Sequence, residues 1–293
     1  MSTSVVTIVP ENASAMRLMD DYSIEITVKD GSELAKAAPL MAPNTRISVT
    51  FLPKEDYQKR LAAVAEVLRL GLRPVPHISA RRIKSEVELE TYLSELAKLG
   101  ASEELFIVAG DPDVPDGPFE DALTVIRSGL LQKYGVRRIG IGGYPEGHSK
   151  IGDDQLWQAL RDKHAALTEQ GIGVSILTQF GFNTEPVFAW LKQLRSEGID
   201  APVRLGVPGP ASATTLLRFA ARCGVSASSS VLSKYGLSLT KLMQPTGPDK
   251  YVLALAKGMR SDIYGDVGLH FYPFGGLIAT AAWIRAFSAI GEL

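Results

Sequence analysis

Four polar side chains stand out because each closes a short apolar run. Glu25 sits inside "YSIEITV", His77 ends "RPVPH", Asp111 follows "LFIVAG", and Gln179 ends "SILTQ". A carboxyl group such as Glu25 in apolar surroundings would have a raised pKa and could transfer a proton. It could equally be a surface carboxylate on an edge strand or half of a structural ion pair. A lone histidine is more often packed or hydrogen-bonded than reactive. Asp111 comes directly after its apolar run, whereas Asp113 and Asp116 belong to the proline-rich turn "DPDVPDGP". The Gln179 amide could satisfy both the donor and acceptor edges of a heterocycle, or equally be a structural hydrogen bonder.

Two further stretches carry chemistry-bearing groups. "GIGGYPEGHSKIG", Gly140 to Gly152, packs five glycines around Tyr144, Glu146, His148 and Lys150. No helix opens at its glycines, so it is not a dinucleotide fingerprint. It reads as a strand running into a loop that lets the backbone approach a ligand, or else as a plain glycine-rich turn. In "VPGPASATTLLRFA", Phe219 lies on the apolar side of a helix that follows a Pro-Gly turn. The histidines 77, 148, 164 and 270 show no zinc-like spacing, so no metal site is expected.

These groups need a scaffold that gathers strand ends. Eight β-rich runs are predicted: Ser23–Val28, Arg46–Leu52, Arg73–His77, Leu105–Ala109, Arg138–Gly142, Val174–Gln179, Val203–Val207 and Gly268–Tyr272. Between them lie segments with helical spacing, such as "YQKRLAAVAEVLRLG", "EVELETYLSELAKLG" and "FEDALTVIRSGLLQKYG", each closed by a glycine. The alternation predicts an α/β protein, a single (β/α)8 TIM barrel over residues 1–293, with extra helices from about Val225 to Met259 before the last strand. A doubly wound open sheet is the second choice. In a barrel the strand ends share one mouth, which would bring Glu25, Thr50, His77 and Asp111 together.

The bulk numbers narrow the function classes. With 31 basic and 32 acidic residues the net charge is −1, so nothing pulls in nucleic acid or an anionic membrane. Cys223 is the single cysteine, which excludes an intramolecular disulfide. The stretch "MSTSVVTIVPENASAMRL" lacks the pattern of a signal peptide, and no apolar run is long enough to span a bilayer. A cytoplasmic protein acting on small molecules is expected.

Taken in order, "SIEIT", "ISVTF", "PVPHIS", "VAGDPD", "YPEGHS", "LTQFGFN", "VPGPASATTLLRFA" and "LHFYPFGG" resemble the methylenetetrahydrofolate reductases, from about Ser23 to Phe274. The resemblance implies a (β/α)8 barrel in which noncovalent FAD passes a hydride from NADH or NADPH to 5,10-methylenetetrahydrofolate. The product is 5-methyltetrahydrofolate, which serves one-carbon metabolism and methionine biosynthesis. By the same resemblance, Glu25 would protonate folate N10 and Asp111 would lie near the pterin and flavin. Thr50, His77, Ala109, Gly110, Tyr144, His148 and Lys163 would contact the flavin. Gln179 and Phe219 would contact the substrate or nicotinamide. Ping-pong kinetics would follow if both substrates used one flavin face, and the same barrel could run as a 5-methyltetrahydrofolate oxidase. Homo-oligomeric assembly is left open.

The sequence departs from the family pattern at several points. Ala109-Gly110-Asp111 stands where the family usually has Arg-Gly-Asp, and Ile26-Thr27-Val28-Lys29 where it often has Phe-Phe-Pro-Pro. Weaker FAD binding is therefore expected. Two alternatives remain: a flavin-independent reductase using NADH directly, and a folate- or flavin-binding barrel without turnover. A barrel lyase or aldolase would want a Schiff-base lysine at a strand end, and none of the eight runs ends in lysine.

Overall fold

A computed structural model describes residues 17–53, 55, 57–225 and 245–290. Eight parallel strands close into a barrel in the order β1 to β8. They are β1 Ser23–Ile26, β2 Arg46–Val49, β3 Arg73–Ser79, β4 Glu104–Val108, β5 Arg138–Gly143, β6 Gly173–Phe180, β7 Val203–Pro208 and β8 Val267–Tyr272. The fold is the predicted (β/α)8 barrel. The N-terminal stretch read for a signal peptide lies largely outside the described residues, and so does 226–244 of the segment expected to hold extra helices. Among the described residues, no helix is long and apolar enough to cross a membrane.

Alternation along each strand divides the barrel wall. Ile24, Ile26, Ile47, Leu105, Ile107, Ile139, Ile141, Val207 and Phe271 are fully buried, as expected of strands covered by helices on their outer face. The intervening residues meet inside. Ser23 Oγ and His270 Nδ1 lie 2.7 Å apart, and the His77 ring packs on Phe106 with centroids 4.6 Å apart. Gly140 leaves room for that phenylalanine, since a Cβ there would come within 2.7 Å of Phe106 Cδ2. The interior is thus more polar than the apolar runs suggested.

Several expected boundaries shift for local reasons. β1 stops at Ile26 because Thr27 and Asp30 form a capping box that starts a turn. β3 runs two residues past His77, to Ser79. The helical pattern from Phe119 to Gly135 breaks into Ala122–Ile126 and Leu130–Lys133, with Gly129 at φ +76° between them. Beyond β7 lie three described helices, Ala213–Cys223, Asp249–Gly258 and Ser261–Tyr264, in keeping with the extra helices expected before β8.

The amino end of the barrel is closed by charge. Glu104 accepts from Arg73 at 2.9 Å and from Arg46 at 3.3 Å, Asp21 joins Arg46 to Arg204, and Arg204 reaches Asp266 at 3.1 Å. Burial works against the Asp21 charge, but the Arg204 and Arg46 guanidiniums outweigh it and hold this carboxyl below its ordinary range.

Candidate functional site

The carboxyl ends of the strands form the opposite, unpaired end. Glu25 of β1 is aligned with Ser48 of β2, one step below Ile26 and Val49. It is half-buried. Burial, helped by the nearby Asp30 charge, pushes its pKa up to about 8, so the side chain is a neutral acid at pH 7. The Tyr272 hydroxyl, at the end of β8, is raised by burial and then by Glu25, which sets the two groups near one another. Tyr272 donates to the Thr178 carbonyl at 3.0 Å.

Beside this acid, three buried polar atoms have no hydrogen-bond partner: Thr50 Oγ1, His77 Nε2 and Ser79 Oγ. They come from the ends of β2 and β3. Burial depresses the His77 pKa to about 3, so the ring is neutral and can accept or donate one hydrogen bond. His270, on β8 across the barrel interior, is likewise held neutral by burial and by His77. Buried polar atoms are normally satisfied; others without a partner sit on Glu55, Tyr57, Arg60, Arg195 and His270, but those of Thr50, His77 and Ser79 come from two adjacent strand ends.

An aromatic stack forms the next part of the rim. Tyr272 stacks on Phe274 with centroids 5.7 Å apart, and Phe274 on Phe219 at 4.1 Å and 13°. Phe180 meets Phe274 edge-on at 4.8 Å. Phe219 is carried by helix Ala213–Cys223, which reaches across the rim: a Cβ at Gly224 would lie 2.3 Å from Ser149 Oγ in the β5 loop. The same helix brings Cys223 within range of the Glu25 and Asp111 charges, although burial is the larger cause of its raised pKa.

The β5 loop has a mixed role. Tyr144 and His148 pack edge-to-face, and burial, then Asp111, raises the Tyr144 pKa. His148 Nδ1 accepts from the Lys150 amide, and Lys150 reaches the exposed Asp113 at 3.3 Å. Glu146 serves the backbone instead: its Oε1 accepts from Phe182 N at 2.9 Å and Asn183 N at 3.1 Å. Gly181 makes space for it, since a Cβ there would come within 2.4 Å of that oxygen. Glu146 therefore clamps the β5 loop to the end of β6. An open cleft of about 540 Å³ continues from this loop between helices Asp153–Glu169 and Thr184–Ser196, where Trp157 and Trp190 stack.

Glu25, Thr50, His77 and Tyr144 are thus brought to one end, with Ala109, Gly110 and Asp111 at the tip of β4. Gln179 lies on an irregular stretch between Leu177 and Phe180, its Oε1 accepting from Phe180 N at 3.1 Å. Asp111 is exposed and 3.8 Å from Arg82. Lys163 lies in the third turn of helix Asp153–Glu169, its pKa lowered by burial against the opposing pull of Asp121. The sequence reading gave no role to Ser79, Arg82, Tyr272 or Phe274. Period-two spacing could have found two of them: Ser79 is two residues beyond His77, and Tyr272 two beyond His270.

Fold and site together define a (β/α)8 barrel whose ligand end carries a neutral acid, unpaired buried polar atoms and an aromatic stack. A model of the methylenetetrahydrofolate reductase family matches residues 24–275, and the chain belongs to that family. Among solved structures, it is similar to a Clostridium thermocellum protein described as binding two copies of 5-methyl-5,6,7,8-tetrahydrofolic acid. That match has a TM-score of 0.58 and 13% identity, and covers 94% of this chain and 98% of the other. It is also similar to a Thermus thermophilus dihydropteroate synthase in complex with 6HMPPP, at TM-score 0.51 and 16% identity over 94% of each chain.

Proposed function

We propose that this protein reduces 5,10-methylenetetrahydrofolate to 5-methyltetrahydrofolate, with NADH or NADPH as hydride donor and noncovalent FAD between them. The observation that carries this reading is Glu25: a half-buried carboxyl group kept neutral at pH 7 at the ligand end of the barrel. Opening the five-membered ring of the substrate leaves an amine at N10 that must gain a proton, and a neutral carboxylic acid can give it. A barrel that only bound folate would have little use for such an acid. Family membership and the folate-binding neighbour support the substrate class.

The residues present fit a flavin. Thr50 Oγ1, His77 Nε2 and Ser79 Oγ are buried without partners and would hold polar atoms of the cofactor. When bound, FAD supplies hydride transfer. The chain does the rest. Glu25 holds and delivers the proton, the Tyr272–Phe274–Phe219 stack offers faces to planar rings, and the neutral His77 adds a hydrogen bond without a charge.

The test is an absorbance spectrum of freshly purified protein with flavin extraction, followed by NADH oxidation with 5,10-methylenetetrahydrofolate, with and without added FAD. Flavin-dependent turnover is expected. Ala109, which brings no charge where the family usually has arginine, favours a second reading: direct transfer from NADH to the folate. Full activity in flavin-free protein, with no gain from FAD, would establish that reading instead.

A further inference from the structure

Two arginines stand side by side after β3, and they are used differently. Arg81 is fully engaged in building the loop after β4. Its amide donates to the Ala109 carbonyl at 2.9 Å, its Nε to the Glu120 carbonyl at 2.6 Å and its NH1 to the Pro112 carbonyl at 3.1 Å. The Arg81 carbonyl in turn accepts from Asp116 N at 2.7 Å. Arg82 makes no hydrogen bond through its side chain to any described residue. Its one ion-pair partner among the described residues is Asp111, at 3.8 Å, beyond hydrogen-bond distance.

The contrast is sharpened by exposure. The Arg82 side chain is 17% exposed, whereas Asp111 is 85% exposed. A pair with so open a carboxylate and no hydrogen bond holds its cation weakly. A guanidinium carries five donors in a fixed fork suited to phosphate or carboxylate. Here the side chain is mostly covered, while its guanidinium donors are taken by no described residue. Beneath the same corner, the Ser79 hydroxyl is 2% exposed with no partner, and Gly110 at φ +94° leaves the space it occupies, since a Cβ there would fall 2.0 Å from Ser79 Oγ.

We infer that Arg82 is the anion anchor of the barrel mouth, binding the anionic end of a ligand through its free guanidinium, with Ser79 adding a hydroxyl at the same corner. This rests on the proposed function, which supplies two ligands of the right chemistry: the diphosphate of a dinucleotide and the glutamate carboxylates of a folate. Arg82 would thereby provide from β3 a positive charge that Ala109 does not provide from β4. Asp111, 3.8 Å away, would be displaced or would keep the fork in place while the mouth is empty.

The test is the affinity of Arg82→Gln and Arg82→Lys against the unmodified protein, by fluorescence titration at low and high salt. Four ligands separate the sources: FAD, riboflavin, 5-methyltetrahydrofolate and its pterin–aminobenzamide analogue, in which an uncharged amide replaces the glutamate. Arg82→Gln should weaken the anionic member of one pair by about ten- to a hundredfold and flatten its salt dependence. Its neutral counterpart should bind as before. Arg82→Lys, which keeps the charge but not the fork, should fall between. Loss confined to FAD assigns the diphosphate; loss confined to the glutamate-bearing folate assigns the carboxylates. If the unmodified protein binds either ligand and Arg82→Gln binds it equally well at both salt concentrations, the inference is overturned and the proposed function stands. If the unmodified protein binds neither, both fall.

Discussion

At the amino end of the barrel, six charged side chains from the start of the strands and the segments before them form one chain of ion pairs: Arg73, Glu104, Arg46, Asp21, Arg204 and Asp266. At the carboxyl end, Thr50, His77 and Ser79 are as deeply buried as Glu104, the one buried member of that chain, yet each leaves a polar atom without a partner. Both ends bury polar groups within one interior, so burial alone does not separate structure from site. Pairing does. Where the chain satisfies its own charges, the interaction serves to hold the barrel shut. Where it leaves donors, acceptors and one acid unsatisfied, the proposed function assigns them to a ligand.

The largest expected effect breaks the carboxyl end chemically without touching its shape. Glu25→Gln should slow the folate half-reaction by about two to four orders of magnitude, the range of a lost general acid. Reduction of bound flavin by NADH needs no such proton and should be unchanged. Stopped-flow measurement separates the two steps, and equal slowing of both would make Glu25 structural. The pH dependence follows from the same group. With its pKa near 8, the unmodified protein should lose folate reduction as pH rises through that value, while Glu25→Gln should show no such fall. Stability has a defined sign too. The folded state keeps a proton on Glu25 that the unfolded chain releases near 4.5, so stability falls as pH rises from there toward 8. Denaturation curves of Glu25→Gln should lack that contribution.

The second prediction breaks the amino end. Glu104 is 6% exposed and shared by Arg46 and Arg73. Glu104→Gln leaves those cations without their common counter-charge and should cost about 2–4 kcal/mol of stability, less than a fully buried pair because Arg73 can turn to water. Catalytic constants of the protein that remains folded should be unchanged. A drop in kcat without a drop in stability would mean the two ends are not separable in this way.

Much of this contrast was legible in the sequence, and the reason is periodicity. The eight apolar runs and the helical spacing between them suffice to read a barrel, and a barrel forces strand ends into one mouth. Glu25 was visible because a carboxyl in "SIEIT" has no local partner. Other features depend on contacts that no local pattern encodes. Glu146, in the most distinctive loop, looks like a ligand group but serves two backbone amides thirty-six and thirty-seven residues on. Arg82 looks equivalent to Arg81, and only the path of the β4 loop decides which is used up. The ion-pair chain at the amino end joins residues from Asp21 to Arg204, a relation set by strand register.

A third, smaller effect concerns the aromatic rim. Phe219→Leu keeps an apolar side chain on helix Ala213–Cys223 but removes the face stacked on Phe274 at 4.1 Å. Folate or nicotinamide affinity should fall by about 0.5–1.5 kcal/mol, read as a raised KM with kcat little changed. Unaltered KM for both substrates would assign Phe219 to the core alone.

The smallest effect is the most direct test of the comparison, because its sign is opposite at the two ends. Thr50 is 5% exposed and its Oγ1 has no partner. Thr50→Val keeps the branched shape and replaces the unsatisfied hydroxyl with a methyl group. Its backbone amide, which donates to the Ile26 carbonyl at 3.0 Å, is untouched. A buried hydroxyl without a hydrogen bond is a cost to the folded state, so removing it should leave stability unchanged or raise it by up to about 1 kcal/mol. The same change should weaken the ligand that the hydroxyl serves, by about 0.5–1.5 kcal/mol if one neutral hydrogen bond is lost. Thermal unfolding of the ligand-free protein and a titration with FAD read the two quantities separately. A gain in stability with a loss in affinity is the signature of a group kept for a ligand against the interest of the fold. A loss of stability with affinity intact would move Thr50 to the class occupied by Glu104, whose side chain the barrel uses for itself.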